Sequence, residues 1–189
     1  VKKNNLISVL IMGFIASQLI PFSDSIKAET VSEKKPLLLV QETQTGLTED
    51  TLTQIMTEIE QAEAEENIAG ILEYLAPYVI TSITVEIDNQ KITTFVEGKD
   101  DHEGFLNDSF KKVKGKKVIS SYTTTKINDS GEMALLTRVR AREVDTETGN
   151  RYLSLSTDKI RFAMIDNQPK IINIESSGWL EPISDQAQF

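Results

Sequence analysis

Residues 62–78, AEAEENIAGILEYLAPY, contain a change of register that decides how the chain folds. Just upstream, Leu52, Ile55, Met56 and Ile59 follow the i, i+3, i+4, i+7 stripe of a helix with one buried face. The next stripe, Ile68, Ile71, Leu72 and Leu75, begins nine positions after Ile59. At about 100° per residue it would fall on the opposite side of one continuous helix. A break is therefore expected at Glu65-Glu66-Asn67, with Asn67 as the N-cap of a second, short helix. Pro77 bars that helix from passing Ala76. The first helix should run from Glu49 to about Glu66, with Thr48 or Thr51 as its cap.

Beyond Pro77 the pattern turns to strands. Residues 78–87 are rich in Val, Ile and Thr, and Asp88-Asn89-Gln90 turns them back into 91–96 as a hairpin. A third, short helix carries Phe105, Leu106, Ser109, Phe110 and Val113 on one face. Gly115 serves as its C-terminal stop, and Lys111, Lys112 and Lys114 suit its negative end. Four long antiparallel strands follow at 117–127, 132–144, 151–165 and 170–177, separated by turn-forming sets. In the third of these, apolar residues move from odd positions (Leu153, Leu155) to even ones (Ile160, Phe162, Met164), which predicts a bulge. Residues 181–189 read as a flexible tail.

At the other end, Lys2 and Lys3 precede an apolar run over residues 6–20 that Pro21 closes, the pattern of an export signal. Ser23 and Ser25, or Ile26 and Ala28, occupy the small-residue positions, so cleavage falls after Ser25 or after Ala28, with Ala28 preferred. The run is about 15 residues, shorter than the roughly 20 that a membrane span needs, so cleavage and export to the periplasm or the outside are expected. Residues 29–48 read as a linker, in which Leu37, Leu38, Leu39 and Val40 either stay free, add an edge strand or dock on the domain.

The chain has 189 residues and a net charge of −9. Removing residues 1–28 takes away a net +2 and leaves −11, a charge that repels nucleic acid. With no cysteine, disulfides, thiolate chemistry and a lipid-anchored N-terminus are all ruled out. The remaining length suits one domain with a complete core.

Two helices broken at a polar junction, a hairpin, a third helix and a curved sheet of long strands resemble the nuclear-transport-factor-2-like superfamily, which includes ketosteroid isomerase and scytalone dehydratase. Residues 62–78 carry the likeness most clearly, and it extends over residues 49–180. It implies an α+β cone: three helices packed on a strongly curved, mostly antiparallel sheet, with a ligand or catalytic site in the mouth between them. The isomerase branch also implies an acid at the start of the first strand. Here that stretch reads Tyr78-Val79-Ile80-Thr81-Ser82-Ile83, and the nearest carboxylates, Glu86 and Asp88, lie at its far end.

His102 is the sole histidine. Asp100 and Glu103 around it have capping-box spacing, so the segment reads as a helix start; a metal would need a more defined ligand set. All five arginines fall in two adjacent strands. Because Leu135, Thr137, Val139 and Ala141 alternate with Arg138, Arg140 and Arg142, the apolar side should face inward and the arginines outward. There they would form a solvated face paired with acids such as Glu143 and Glu175, or a partner surface. Many members of the resembled family dimerise through this side of the sheet, which implies a homodimer contact. Phe105, Phe110, Phe162 and Trp179 read as core. Tyr74, Tyr78, Tyr122 and Phe105 are the candidate pocket residues, with Tyr122 preferred because it lies mid-strand among hydroxyls. The sequence thus describes an exported binding or interaction module that takes a small amphipathic ligand in the cone or a protein on the sheet, without metal or cofactor. The alternative is a cofactor-independent isomerase, dehydratase or hydrolase using Tyr and carboxylate groups.

Overall fold

A computed structural model describes residues 46–87 and 90–183. The stretches read as an export signal, as a linker up to residue 45 with its apolar patch, as a turn at Asp88-Asn89 and as a tail beyond residue 183 lie outside the described residues. Helix α1, Glu49–Ala64, opens on Thr48, whose side chain accepts from the Thr51 amide at 3.1 Å. Glu49 and Asp50 lie in its first turn, where the helix dipole favours them. Its buried stripe holds Leu52, Ile55, Met56 and Ile59. The chain then breaks where the two stripes disagree: Glu66 takes a positive φ of 54°, and the Asn67 side chain accepts from the Gly70 amide at 3.1 Å to cap α2, Ile68–Glu73. Leu47, the residue before the first cap, is buried in the main core and bonds to Gly131 at 2.7 Å, so the domain begins at the end of the stretch read as linker.

Strand β1, Leu75–Ile87, pairs with β2, Gln90–Glu97, as the expected hairpin. Helix α3, Gly98–Lys112, follows with no loop, and then come β3, Val113–Ile127, β4, Met133–Thr146, β5, Arg151–Ile165, and β6, Gln168–Pro182. The sheet order is β2-β1-β6-β5-β4-β3. Only β1 against β6 is parallel among these pairings. Register shifts in β1–β6, β3–β4 and β5–β6 interrupt the ladders and curl the sheet around the helices. Its inner face meets α1 and α2 over a core that includes Leu52, Ile59, Ile71, Val79, Leu136, Phe162 and Ile171. A second cluster, Ile83, Val85, Val96, Tyr152 and Leu180, packs with Phe105 of α3. Among the described residues no helix is long and apolar enough to cross a membrane.

The third helix and the fifth strand differ from expectation. Helix α3 starts at Gly98 with Glu97 in the capping position and no side-chain cap. Asp100 and Glu103 therefore lie inside the helix, and their capping-box spacing is coincidental. The helix ends at Lys112, and Gly115 lies in β3, where a Cβ would come within 2.9 Å of an Asp145 carboxylate oxygen. In β5 the parity never changes: even positions are buried from Tyr152 to Phe162. The apolar residues change parity along the strand because Ser154, Ser156 and Asp158 take the inner positions while Leu153 and Leu155 point outward. The register does shift at Arg161/Phe162, but the extra residue, Ile172, belongs to β6: Arg161 pairs with Asn173 and Phe162 with Ile171.

Candidate functional site

The even positions of β4 carry Arg138, Arg140 and Arg142 to the inner face, where they are 4%, 1% and 0% exposed. This reverses the expected orientation, and the partners explain why. Continuing the buried stripe of α1 from Met56 and Ile59 reaches Glu60 and Glu63, and the inner positions of β5 supply Asp158. Arg138 Nη1 donates to Glu60 Oε1 at 3.0 Å, and Arg140 Nη2 to Asp158 Oδ2 at 3.1 Å. Arg142 Nη2 donates to Ser156 Oγ at 3.1 Å, and Lys116 Nζ to Glu63 Oε1 at 2.6 Å. A charge can be buried when its partner is buried with it. No partner surface is therefore available through these arginines. The outer face instead presents Tyr122 opposite Val139, and Ala141 beside Leu155, which in turn pairs with Trp179. Trp179, read as core, is 37% exposed there.

Burial pushes the Glu60 carboxyl up to about 7, against the opposing pull of Arg138 and Arg140. It also raises Glu63, in spite of Lys116. A carboxyl whose pKa is higher in the folded chain than in the unfolded one stabilises the fold while protonated, and that stability is lost as pH rises through the folded value. His102 behaves oppositely: burial lowers its pKa from 6.5, so its contribution is lost on acidification below 6.5. Between pH 6.5 and 7.5 the carboxyl effect should therefore prevail. The melting temperature is expected to fall across that interval, and Glu60→Gln, which keeps a hydrogen-bond acceptor for Arg138, should flatten the decline; a rising profile in the parent would contradict this.

At one end of the charged layer the helices stand off the sheet and leave a cavity of about 50 Å³. Its apolar walls are formed by Ile59, Ile71, Leu75, Ile83, Val96, Phe105, Leu106, Ile160, Ile171 and Ile174. Thr81, His102, Arg138, Asp158 and Ser176 border it along a further edge, yet the surface that faces the cavity is almost wholly apolar. Register builds that edge: Arg138 lies opposite Asp158, and Asp158 opposite Ser176. Ser176 Oγ donates to Asp158 Oδ1 at 2.8 Å, and Arg138 Nε lies 3.8 Å from Asp158 Oδ2. Helix α3 brings His102 against Thr81 of β1, with 2.7 Å between Nε2 and Oγ1, while Nδ1 lies 2.6 Å from the Gly98 carbonyl. A carbonyl only accepts, so Nδ1 carries the proton. The neutral ring then accepts from the Thr81 hydroxyl at Nε2.

Of the candidate pocket residues, Phe105 lines the cavity. Tyr74 instead donates its hydroxyl to Glu58 on α1. Tyr78 and Tyr122 are 62% and 68% exposed, because in both strands their parity belongs to the outer face. The reading of residues missed Thr81, Asp158 and Ser176, and placed His102 in a capping segment. The alternation of Tyr152, Ser154, Ser156, Asp158, Ile160 and Phe162 was a usable signal for Asp158. Among the described residues no group of three or more His, Asp or Glu is arranged to hold a metal ion.

No family model and no curated protein matches the chain. Solved structures do match in fold. A protein of unknown function from Pseudomonas putida, described as nuclear-transport-factor-2-like, superimposes with a TM-score of 0.52 at 15% identity, over 75% of this chain and 91% of that one. A putative aromatic ring hydroxylase from Novosphingobium aromaticivorans gives 0.56 at 11% identity, covering 72% and 94%. A hexachlorocyclohexane dehydrochlorinase gives 0.53 at 8% identity, covering 71% and 90%. The chain has the nuclear-transport-factor-2-like fold, and its structural neighbours include both enzymes and proteins of unknown function.

Proposed function

We propose that the chain is an exported domain that holds a small molecule, with an apolar body and one hydrogen-bonding group, in the cavity between the helices and the inner face of the sheet. The observation that carries this reading is a cavity whose inner surface is almost wholly apolar and whose bordering His102 and Asp158 already hold hydrogen-bond partners. Both ring nitrogens of His102 are engaged, by Gly98 and Thr81, and both oxygens of Asp158, by Ser176 and Arg140. A general base needs a lone pair free to take the substrate's proton. A recognition site needs only shape and a few fixed polar groups. Export rests on the basic and apolar pattern of residues 2–20, and the intact mass of protein recovered outside the cell would report cleavage after Ser25 or Ala28.

The test is mass spectrometry of small molecules released from protein purified from its native envelope. A single stoichiometric compound, recovered unchanged after incubation, is the expected result. Conversion of that compound by the pure protein would instead favour the second reading, a proton-transfer enzyme working through Thr81 and His102. That reading is supported by the neutral, Nδ1-protonated ring at the cavity edge and by the dehydrochlorinase among the fold neighbours.

For the outer face, the assigned partner is a second copy of the chain, supported by the exposed apolar row Tyr122, Val139, Leu155 and Trp179. Light scattering should give a dimer for the parent and a monomer for Leu155→Glu. A monomeric parent would dispose of the contact.

A further inference from the structure

We infer that the inner face of the sheet holds a second, separate site, for a small halide such as chloride, between Arg142 of β4 and Ser154 of β5. The two residues pair across the strands, take inner positions and are both 0% exposed. Neither lines the apolar cavity. Directly opposed residues on one face of an antiparallel pair have Cβ atoms about 5 Å apart, so the two side chains border the same space. Three of their polar atoms, Arg142 Nε and Nη1 and Ser154 Oγ, have no hydrogen-bond partner among the described residues. Each carries a hydrogen to donate, and a halide only accepts.

Charge decides between a halide and water. Among the described residues the buried layer sets Arg138, Arg140, Arg142 and Lys116 against Glu60, Glu63 and Asp158, one cation more than acids. The shortest contact of each acid goes to a different cation: Glu60 to Arg138 at 3.0 Å, Asp158 to Arg140 at 3.1 Å and Glu63 to Lys116 at 2.6 Å. Arg142 is left with a neutral partner, the Ser156 hydroxyl at 3.1 Å. Burial pulls its pKa down to about 10, with the charge of Asp158 resisting, so it is a cation at neutral pH. Protonation of Glu60, whose carboxyl is pushed up to about 7, only widens the excess of positive charge. A water satisfies the orphaned hydrogens and leaves a buried charge uncompensated; a halide does both. The complete burial of both side chains suits a monatomic anion, not a bulky one.

Two measurements on the whole chain test this. In crystals soaked in sodium bromide, the anomalous signal of bromine should place an ion within hydrogen-bond distance of Arg142 and Ser154. In solution, an ion that binds only the folded chain raises its melting temperature. Sodium chloride, compared with sodium gluconate at equal ionic strength, should raise it by at least about 2 °C, and Arg142→Met should remove that difference. Ser154→Ala keeps the charge, loses one donor and should reduce the difference; it serves alone if Arg142→Met does not fold. Water alone at the site, bromide only on the surface, or a chloride response as large in the variants as in the parent would overturn the inference. Bound bromide with no chloride response in solution is binding at crystal concentration only, and overturns it too.

Discussion

Replacing Asp158 by alanine is expected to lower stability by about 3–5 kcal/mol, the usual cost of removing one partner from a buried ion pair. The carboxylate is 1% exposed and is the point at which three contacts meet: Arg140 at 3.1 Å, Arg138 at 3.8 Å and the Ser176 hydroxyl at 2.8 Å. Its loss leaves Arg140, whose hold on its proton is already weakened by burial and then by the charges of Arg138 and Arg142, in a medium of low dielectric without its acid. Changing both partners to apolar residues should cost far less, since a buried pair replaced by well-packed hydrophobic groups is often neutral or better. Urea unfolding of Asp158→Ala and of the double variant Asp158→Leu, Arg140→Met makes the comparison. A loss under about 1 kcal/mol for the single variant would mean that water reaches this layer and screens it.

The second large effect is on binding. Leu106 projects from α3 into the cavity and is 5% exposed. Leu106→Trp should fill the space and abolish retention of any guest, including xenon, at a stability cost of about 1–3 kcal/mol for overpacking. Undiminished guest binding in a folded Leu106→Trp protein would place the binding site elsewhere.

The fold was legible in the sequence because several local signals agreed. Two helical stripes out of phase forced a break at Glu66, Asn67 and Thr48 were strong caps, and each long strand ended at a turn set. The site was not legible, for a reason that lies in the rule itself. Reading strands by apolar parity assumes that the inner face is apolar, and here part of it is built from paired charges. In β4 and β5 the outward positions hold Leu135, Val139, Leu153 and Leu155 while Arg140 and Asp158 are buried, so the same rule that finds the core elsewhere turns these two strands inside out. Glu60 and Glu63, placed on the buried side of α1 by the spacing of Met56 and Ile59, were the available warning. His102 was hidden differently. Its neighbours have the spacing of a capping box, yet the helix begins at Gly98, and only the packing of α3 on β1 brings the ring to Thr81.

If the space between the helices and the inner face admits a small guest, xenon should enter it. The most direct measurement is an isoleucine-methyl NMR spectrum of the intact chain under xenon. Shifts are expected at Ile59, Ile71, Ile83, Ile160, Ile171 and Ile174, which line the cavity, and none at the exposed Ile80 and Ile119. Shifts confined to Ile80 and Ile119, or no shifts at all, would contradict it.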